Sequence, residues 1–207
     1  MSAVQPSRSG HPVFAALYRR MAGPIEAGLV GTARRTLLAD ARGVVVDLGA
    51  GIGLNLPHLG DAVTRVHLVE PDPHMIRRLP PALPAHVQVH QVGAEHLPMD
   101  DASVDTVLAT LTLCTVDDLP ATMAQIRRVL RPGGQVLVLE HVRSLDPALA
   151  RWQDRLTRPW NWFGAGCSPN RDTTAAFTDA GFDASGLTRL QVPGMPLTRE
   201  WVTGRLA

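Results

Sequence analysis

The feature that most constrains the fold of this chain is an apolar run followed by glycines at every second position. It reads Val44-Val45-Val46-Asp47-Leu48-Gly49-Ala50-Gly51-Ile52-Gly53. Such a run predicts a buried strand, a glycine-rich loop and then a helix start, where a ligand can approach the backbone closely. We therefore expect a small-molecule site at this loop. The dinucleotide fingerprint G-x-G-x-x-G needs its third glycine at position 54, which is Leu54 here, so the spacing disfavours NAD.

Composition favours one globular protein without a nucleic-acid partner. The 207 residues are 45% hydrophobic and carry a formal net charge of +1. The 20 basic residues are all arginine, and their pairs are spread along the chain, so we interpret them as solvent-exposed helix faces. The pairs are Arg19-Arg20, Arg34-Arg35, Arg77-Arg78 and Arg127-Arg128.

Cysteine usage and hydropathy indicate a cytoplasmic protein without a membrane anchor. Cys114 and Cys167 are distant in sequence and lack a Cys-x-x-Cys companion, so we expect neither a disulfide framework nor a metal site. No apolar run approaches the roughly 20 residues of a membrane helix. The segment from Met1 to His11 is polar and has no basic-then-apolar signal. The oligomeric state stays open.

Strands and helices alternate after residue 40, which predicts a doubly wound α/β fold. The predicted strands are 44–48, 66–70, 87–92, 104–109 and 135–140. Asp72-Pro73 opens one helix, and Asp117 or Asp118 caps another that runs to Leu130. A last helix near 172–180 precedes two strand-like segments, which we expect to form an antiparallel hairpin. The result is a mostly parallel, seven-stranded, Rossmann-like sheet.

The N-terminal segment predicts a helical cap on that sheet. Residues 12–40 carry apolar positions at helical spacing, interrupted by Gly23-Pro24, which indicates one or two helices. We therefore divide the chain into a cap, 1–40, and a single globular unit, 41–207.

The pattern D/E-x-G-x-G-x-G, here Asp47 to Gly53, resembles class I S-adenosylmethionine (SAM) dependent methyltransferases. The resemblance implies that SAM binds at the carboxyl ends of the strands and leaves as S-adenosylhomocysteine. The first loop would receive the methionine portion, and Glu70, after the second strand, would accept from the ribose hydroxyls or, alternatively, cap the next helix. Many relatives have an acid where this chain has Gly93, and that acid accepts a hydrogen bond from the adenine amino group. We expect Ala94 and Glu95 to replace this contact here.

Asn55 either contacts the methionine carboxylate or caps locally. The predicted cofactor residues are Asp47, Gly49, Ala50, Gly51, Asn55, Glu70, Pro71, Ala94, Glu95 and Thr110.

Aromatic residues cluster between the fifth strand and the last helix, and they predict the wall of an acceptor pocket. An amphipathic helix that covers the core edge is the alternative. The aromatic residues are Trp152, Trp160, Trp162 and Phe163. Phe14 and Tyr18 are expected to add a lid, and Cys114 is either a pocket residue or a small core residue. The predicted acceptor-pocket residues are Tyr18, Cys114, Trp160 and Phe163.

His141, at the end of the fifth strand, is the candidate catalytic base. A structural histidine bonded to backbone is the alternative.

Segments after residue 104 narrow the resemblance. They are Thr110–Val116, Val129–Gly134, Glu140–Val142, Trp152, Pro159-Trp160, Gly166-Cys167 and Arg171. This series, within roughly residues 44–205, resembles the methyltransferase-like 7 thiol S-methyltransferases and their bacterial relatives. The animal members have an apolar anchoring N-terminus, which this sequence lacks, so their location is not carried over. The resemblance implies methyl transfer to a small apolar nucleophile, in the first place a thiol. O- or N-methylation of a small metabolite and SAM binding without methyl transfer are the alternatives.

Overall fold

The computed structural model describes residues 10–207. Residues 1–9 therefore lie outside the described residues. They make up most of the polar segment Met1–His11 and the first part of the predicted cap. Within residues 10–207, no helix combines the length and the apolar character that crossing a bilayer requires.

Two helices precede the sheet, α1 at Pro12–Glu26 and α2 at Leu29–Leu38. The predicted interruption at Gly23-Pro24 is wrong, because α1 continues through both residues and the chain breaks at Gly28. The turn lies there because the α2 backbone comes very close to the end of α1. A Cβ at Gly31 would overlap the carbonyl oxygen of Glu26.

The sheet has seven strands in the order β3-β2-β1-β4-β5-β7-β6. The strands are β1 (Gly43–Leu48), β2 (Val63–Val69), β3 (Val87–His90), β4 (Val104–Thr110), β5 (Leu130–His141), β6 (Leu187–Gln191) and β7 (Glu200–Leu206). Strands β1 to β5 pair in parallel, whereas β7 pairs antiparallel with both β5 and β6. This arrangement confirms the predicted doubly wound fold and its terminal hairpin. The crossover from β3 to β4 returns the chain to the other side of β1, so the ends of β2, β1 and β4 lie side by side.

The remaining helices are α3 (Pro73–Ile76), α4 (Leu119–Val129), α5 (Pro147–Phe163) and α6 (Thr173–Asp179). Aspartates begin all four helices by accepting a backbone N–H. At α4 the capping residue is Asp118. The helix expected directly after β1 is absent: the chain makes turns there and forms only a single 3-10 turn at Leu56–His58. Gly49, Gly51 and Gly53 all have positive φ, which is incompatible with helix continuation.

Both faces of the sheet are buried, which explains the nearly unbroken apolar strands. Along β5, Val136 and Val138 pack with Phe177 of α6 on one face. Leu137 and Leu139 pack with Trp201 on the other face, where α2 also lies. This alternation with a period of two residues puts successive side chains on opposite faces of the sheet.

Candidate active site

A cavity of about 310 Å³ lies at the carboxyl ends of β1, β2, β4 and β5. Its volume is at the lower end of the range for small-molecule sites, roughly 300–1,000 Å³. The ends of β1 and β2 form one part, which we call the loop end, with Gly51 and Glu70. The ends of β4 and β5 form the other part, which we call the sulfur end, with Cys114 and His141. Helix α1 lines the cavity with Phe14 and other residues.

Glu70 organises the loop end. One of its carboxylate oxygens accepts the N–H of Gly51 and the other accepts the N–H of Asp72, each at 2.8 Å. Burial raises the pKa of Glu70, and these two hydrogen bonds act in the opposite direction. The carboxylate therefore holds the glycine loop and the start of α3 in place while it faces the cavity.

Gly49 and Gly51 are glycines for different reasons. A Cβ at Gly49 would overlap Oγ1 of Thr112, which donates to the carbonyl of Leu48 at 2.7 Å. A Cβ at Gly51 would touch only Gly49 and Tyr18, at 3.8 and 4.0 Å, and would enter the cavity. Gly49 therefore allows two strand ends to pack closely, whereas Gly51 leaves room for a ligand.

A buried polar network lies beneath the glycine loop, centred on Arg34, which is 2% exposed. Its guanidinium donates to both carboxylate oxygens of Glu26, at 2.8 and 2.9 Å, and also to Asn55 and Thr110. Asn55 in turn donates to Asp47 and Thr110, at 2.7 and 2.8 Å. Three predicted cofactor residues, Asp47, Asn55 and Thr110, thus belong to this network and do not line the cavity.

Asp47 ionises unusually in this network. Burial raises its pKa to about 7, although the hydrogen bond from Asn55 and the charge of Arg34 favour the ionised form. One carboxylate oxygen, Oδ2, is buried without a hydrogen-bond partner.

Glu95 joins the loop after β3 to the loop after β4. Its Oε1 accepts the N–H groups of Asp117 and Asp118, at 2.9 and 3.2 Å. Its Oε2 occupies the space into which a side chain at Gly93 would extend. An acidic side chain at position 93 would therefore overlap the Glu95 carboxylate in this chain.

At the sulfur end, Cys114, His141 and Cys167 meet, and their ligand atoms all lie within 4.8 Å of one another. We call these three residues the Cys-His-Cys cluster. His141 Nε2 is 3.1 Å from Cys167 Sγ, and the Trp160 indole N–H donates to the same sulfur at 3.4 Å. His141 Nδ1 is buried and has no hydrogen-bond partner. The alternative of a histidine bonded to backbone is therefore not what this geometry shows.

Ionisation within the cluster is unequal. The hydrogen bond from Cys114, together with His141, holds the pKa of Cys167 well below that of an ordinary thiol. The same hydrogen bond and burial raise the pKa of Cys114. These shifts favour ionisation of Cys167 over Cys114.

Two loops and the end of β5 carry the cluster, and side chains outside the cluster fix both loops. Glu140 accepts the N–H groups of Thr112 and Leu113 at 2.7 and 2.8 Å, which sets the approach to Cys114. Arg171 donates to the carbonyls of Leu113 and Val116 on the same loop. Asn161, near the end of α5, donates to the carbonyls of Gly166 and Cys167.

The aromatic segment forms helix α5, and only one of its aromatic residues reaches the cavity. Trp160 lines the sulfur end. Phe163 is 72% exposed and Trp152 is 55% exposed, and neither lines the cavity. Tyr18 lines the cavity from α1, and burial raises its pKa to about 12.

The structure thus brings two thirds of the predicted site residues to one cavity. These are Gly49, Gly51, Glu70, Pro71, Ala94, Glu95, Tyr18, Cys114, His141 and Trp160. Asp47, Ala50, Asn55, Thr110 and Phe163 lie outside the lining.

Sequence reasoning missed two residues, Arg34 and Cys167. Arg34 was interpreted as solvent-exposed but is buried, and the helical spacing of Val30, Arg34 and Leu38 could have indicated this.

Comparison with known proteins agrees with this geometry. Residues 46–138 match the family model of a methyltransferase domain. Human thiol S-methyltransferase TMT1B is 29% identical over 171 residues, which cover 79% of this chain and 68% of that protein. Residues 46–138 thus form a methyltransferase domain, and the chain is similar to SAM-dependent methyltransferases. SAM is therefore the cofactor that the loop end has to accommodate.

Other members of the methyltransferase class are also similar. An uncharacterized methyltransferase of Mycobacterium tuberculosis is 39% identical over 108 residues, which cover 52% of this chain and 44% of that protein. The chain thus spans about two thirds of the human relative and less than half of the mycobacterial one. A crystal structure of a SAM-dependent methyltransferase from Thermotoga maritima superposes with a TM-score of 0.68 at 22% identity, covering 94% of this chain and 96% of the other.

Proposed function

We propose that this methyltransferase transfers a methyl group from SAM to a small apolar acceptor, in the first place a thiol. The observation that carries the proposal is that a single cavity joins the Glu70 carboxylate to the Cys-His-Cys cluster. A cofactor at one end and an acceptor at the other would share one cavity. Direct displacement between two bound molecules requires such an arrangement.

The loop end has the chemistry to hold SAM. Each Glu70 oxygen accepts one N–H, and an ionised carboxylate has about four acceptor positions, so capacity remains for two ribose hydroxyls. The absence of a side chain at Gly51 leaves backbone accessible for the methionine portion. Ala94 and Glu95 line the part of the cavity that we assign to the adenine.

SAM supplies an electrophilic methyl group on a sulfonium. The protein aligns the acceptor with this methyl group and excludes water from the reaction. Phe14 and Tyr18 of α1 and Trp160 of α5 enclose the space between the two ends. Their apolar surfaces favour a lipophilic acceptor over a charged one.

A thiol fits the sulfur end better than an alcohol does. A thiol of ordinary pKa, about 8.5, needs less help to ionise near neutral pH than a hydroxyl does. His141 is the candidate base, and its Nε2 faces Cys167, so the two residues would act as a pair in holding the acceptor's proton. The name of the human relative, a thiol S-methyltransferase, supports the same acceptor class.

The test is turnover of isotopically labelled SAM with matched acceptors that share one aromatic skeleton and differ in bearing a thiol, a phenol or an amine. We expect the labelled thioether to form fastest, as followed by mass spectrometry. Faster methylation of the phenol or amine would reassign the acceptor atom. SAM binding without labelled product from any acceptor would favour a protein that uses SAM as a ligand only.

A further inference from the structure

We propose that Cys114, His141 and Cys167 form a binding site for one thiophilic divalent cation, in the first place Zn²⁺, with its fourth position open to the cavity. Two thiolates and one imidazole are the ligands of known catalytic zinc sites, which keep one position for water or substrate. All three residues line the cavity, so an ion held between them would face it. No metal site was expected from the sequence, because the two cysteines are far apart along the chain and lack a Cys-x-x-Cys companion.

The separations within the cluster suit a tetrahedral ion. Zinc–sulfur bonds of about 2.3 Å and zinc–nitrogen bonds of about 2.0 Å place neighbouring ligand atoms roughly 3.5–3.8 Å apart. The three ligand atoms lie within 4.8 Å of one another, and His141 Nε2 is 3.1 Å from Cys167 Sγ. Small side-chain rotations would accommodate the ion without moving the backbone.

Charge and softness favour the same class of ion. Cys114 and His141 are 2% and 4% exposed, so an uncompensated charge there would be costly. Two thiolates neutralise one divalent cation exactly in number, and the imidazole adds no charge. Thiolate and imidazole ligands select zinc-like ions over Mg²⁺ or Ca²⁺, which prefer oxygen.

The site is fixed before any ion arrives. Ser168 N–H donates to the carbonyl of Cys114 at 2.8 Å, which joins the two cysteine-bearing loops directly. Asn161 holds the Cys167 loop, and Arg171 holds the Cys114 loop. His141 is the last residue of β5 and pairs with Trp201 of β7.

The role of the ion rests on the proposed function. An acceptor thiol would displace water from the fourth position, release one proton to solvent and remain bound through its sulfur as a thiolate. With the ion in place, His141 is a ligand and not a base. The ion would thus select thiols over phenols and amines by the softness of the attacking atom.

The experiment uses the full chain, reduced and freed of metal by a chelator, without SAM or acceptor. Calorimetry with Zn²⁺ should show one ion per chain, and Co²⁺ should produce a thiolate-to-metal charge-transfer absorption. Cys114→Ser and Cys167→Ser should each weaken Zn²⁺ binding by more than about tenfold. His90→Gln is the control, because His90 and His67 form an imidazole pair at the far edge of the sheet. Mg²⁺ should have no effect.

Two results would overturn the inference. One is reduced wild-type protein with both thiols titratable that gives neither 1:1 zinc binding nor the cobalt absorption, a result that does not depend on any variant folding. The other is undiminished affinity in a cysteine variant that still binds S-adenosylhomocysteine. If chelator-treated protein that binds no zinc still methylates thiols, the proposed function holds without the ion. If the protein binds zinc but methylates no acceptor, the metal site holds and the proposed function fails.

Discussion

The carboxylate of Glu70 and the amide of Gly51 are joined by a 2.8 Å hydrogen bond, so one side chain at the end of β2 sets the backbone of the loop after β1. The same residue therefore shapes the loop and presents acceptor atoms to the cavity. Its two roles can be separated by substitution.

Glu70→Ala should lower SAM affinity by about 10- to 100-fold, because it removes a charged hydrogen-bonding partner of the order of 1.5–3 kcal/mol. Glu70→Gln retains one acceptor oxygen and should have a smaller effect. Calorimetry with SAM measures both, with the exposed Asp61→Ala as control. Wild-type affinity in Glu70→Ala would remove this residue from the cofactor site.

Gly51→Ala should abolish measurable SAM binding while the protein still folds, because the new methyl group enters the cavity. Gly133→Ala is a matched control: its φ of +77° resembles the +57° of Gly51, but a Cβ there meets nothing within 4 Å. Both variants carry the cost of a left-handed residue, about 1–2 kcal/mol. Equal SAM affinity in the two variants would contradict the assignment of the loop.

Asp47 should make the stability of the cofactor-free protein fall as pH rises from about 4 to about 7. Its folded-state pKa of about 7 lies above the unfolded value of about 3.9, so the folded state holds the proton more tightly across this window. The free energy of unfolding would drop by up to about 1.4 kcal/mol per pH unit from this group. Urea titrations of wild type and Asp47→Asn should differ by that slope, and parallel profiles would show that Asp47 is ionised throughout.

Arg34→Met should destabilise the fold by about 3–5 kcal/mol, because Glu26 loses a largely buried partner. The double variant Arg34→Met/Glu26→Gln should recover part of that loss. Asp101→Asn, in an exposed ion pair, should cost less than about 1 kcal/mol. Urea unfolding followed by circular dichroism is measured for these variants and for Glu26→Gln alone, and strictly additive effects of the two single substitutions would mean that the pair is not coupled.

Trp160→Ala should raise KM for bulky acceptors while leaving SAM affinity nearly unchanged, as expected for a wall at the sulfur end. Trp152→Ala, on the same helix but outside the cavity, is the control. Steady-state kinetics with small and bulky thiols tests this, and equal KM values for the two variants would place Trp160 outside the acceptor site.

The central strands β1, β4 and β5 were predictable because they are buried on both faces, as the alternation of Val136 and Leu137 between two cores shows. The helix expected after β1 was not found, because positive φ values at Gly49, Gly51 and Gly53 keep the chain in turns. Sequence spacing indicates glycines but not the backbone angles they adopt.

Glu70 and His141 line the cavity because the strand order brings the ends of their strands together. Thr110, which ends β4, instead contacts Arg34 and does not line the cavity. Cys167 could not be found this way. It reaches Cys114 only through the packing of the loop after α5, which Ser168 and Asn161 hold by hydrogen bonds to backbone.

Helix α1 forms part of the cavity wall and rests on the glycine loop through the packing of Ala15 against Ile52 and Met75. A molecule that fills the loop end therefore also fills the space under α1. Amide hydrogen exchange along α1 would slow when the cofactor site is occupied, although this helix lies outside the matched methyltransferase domain. The exchange rate of the α1 amides would therefore show whether the cofactor site is occupied.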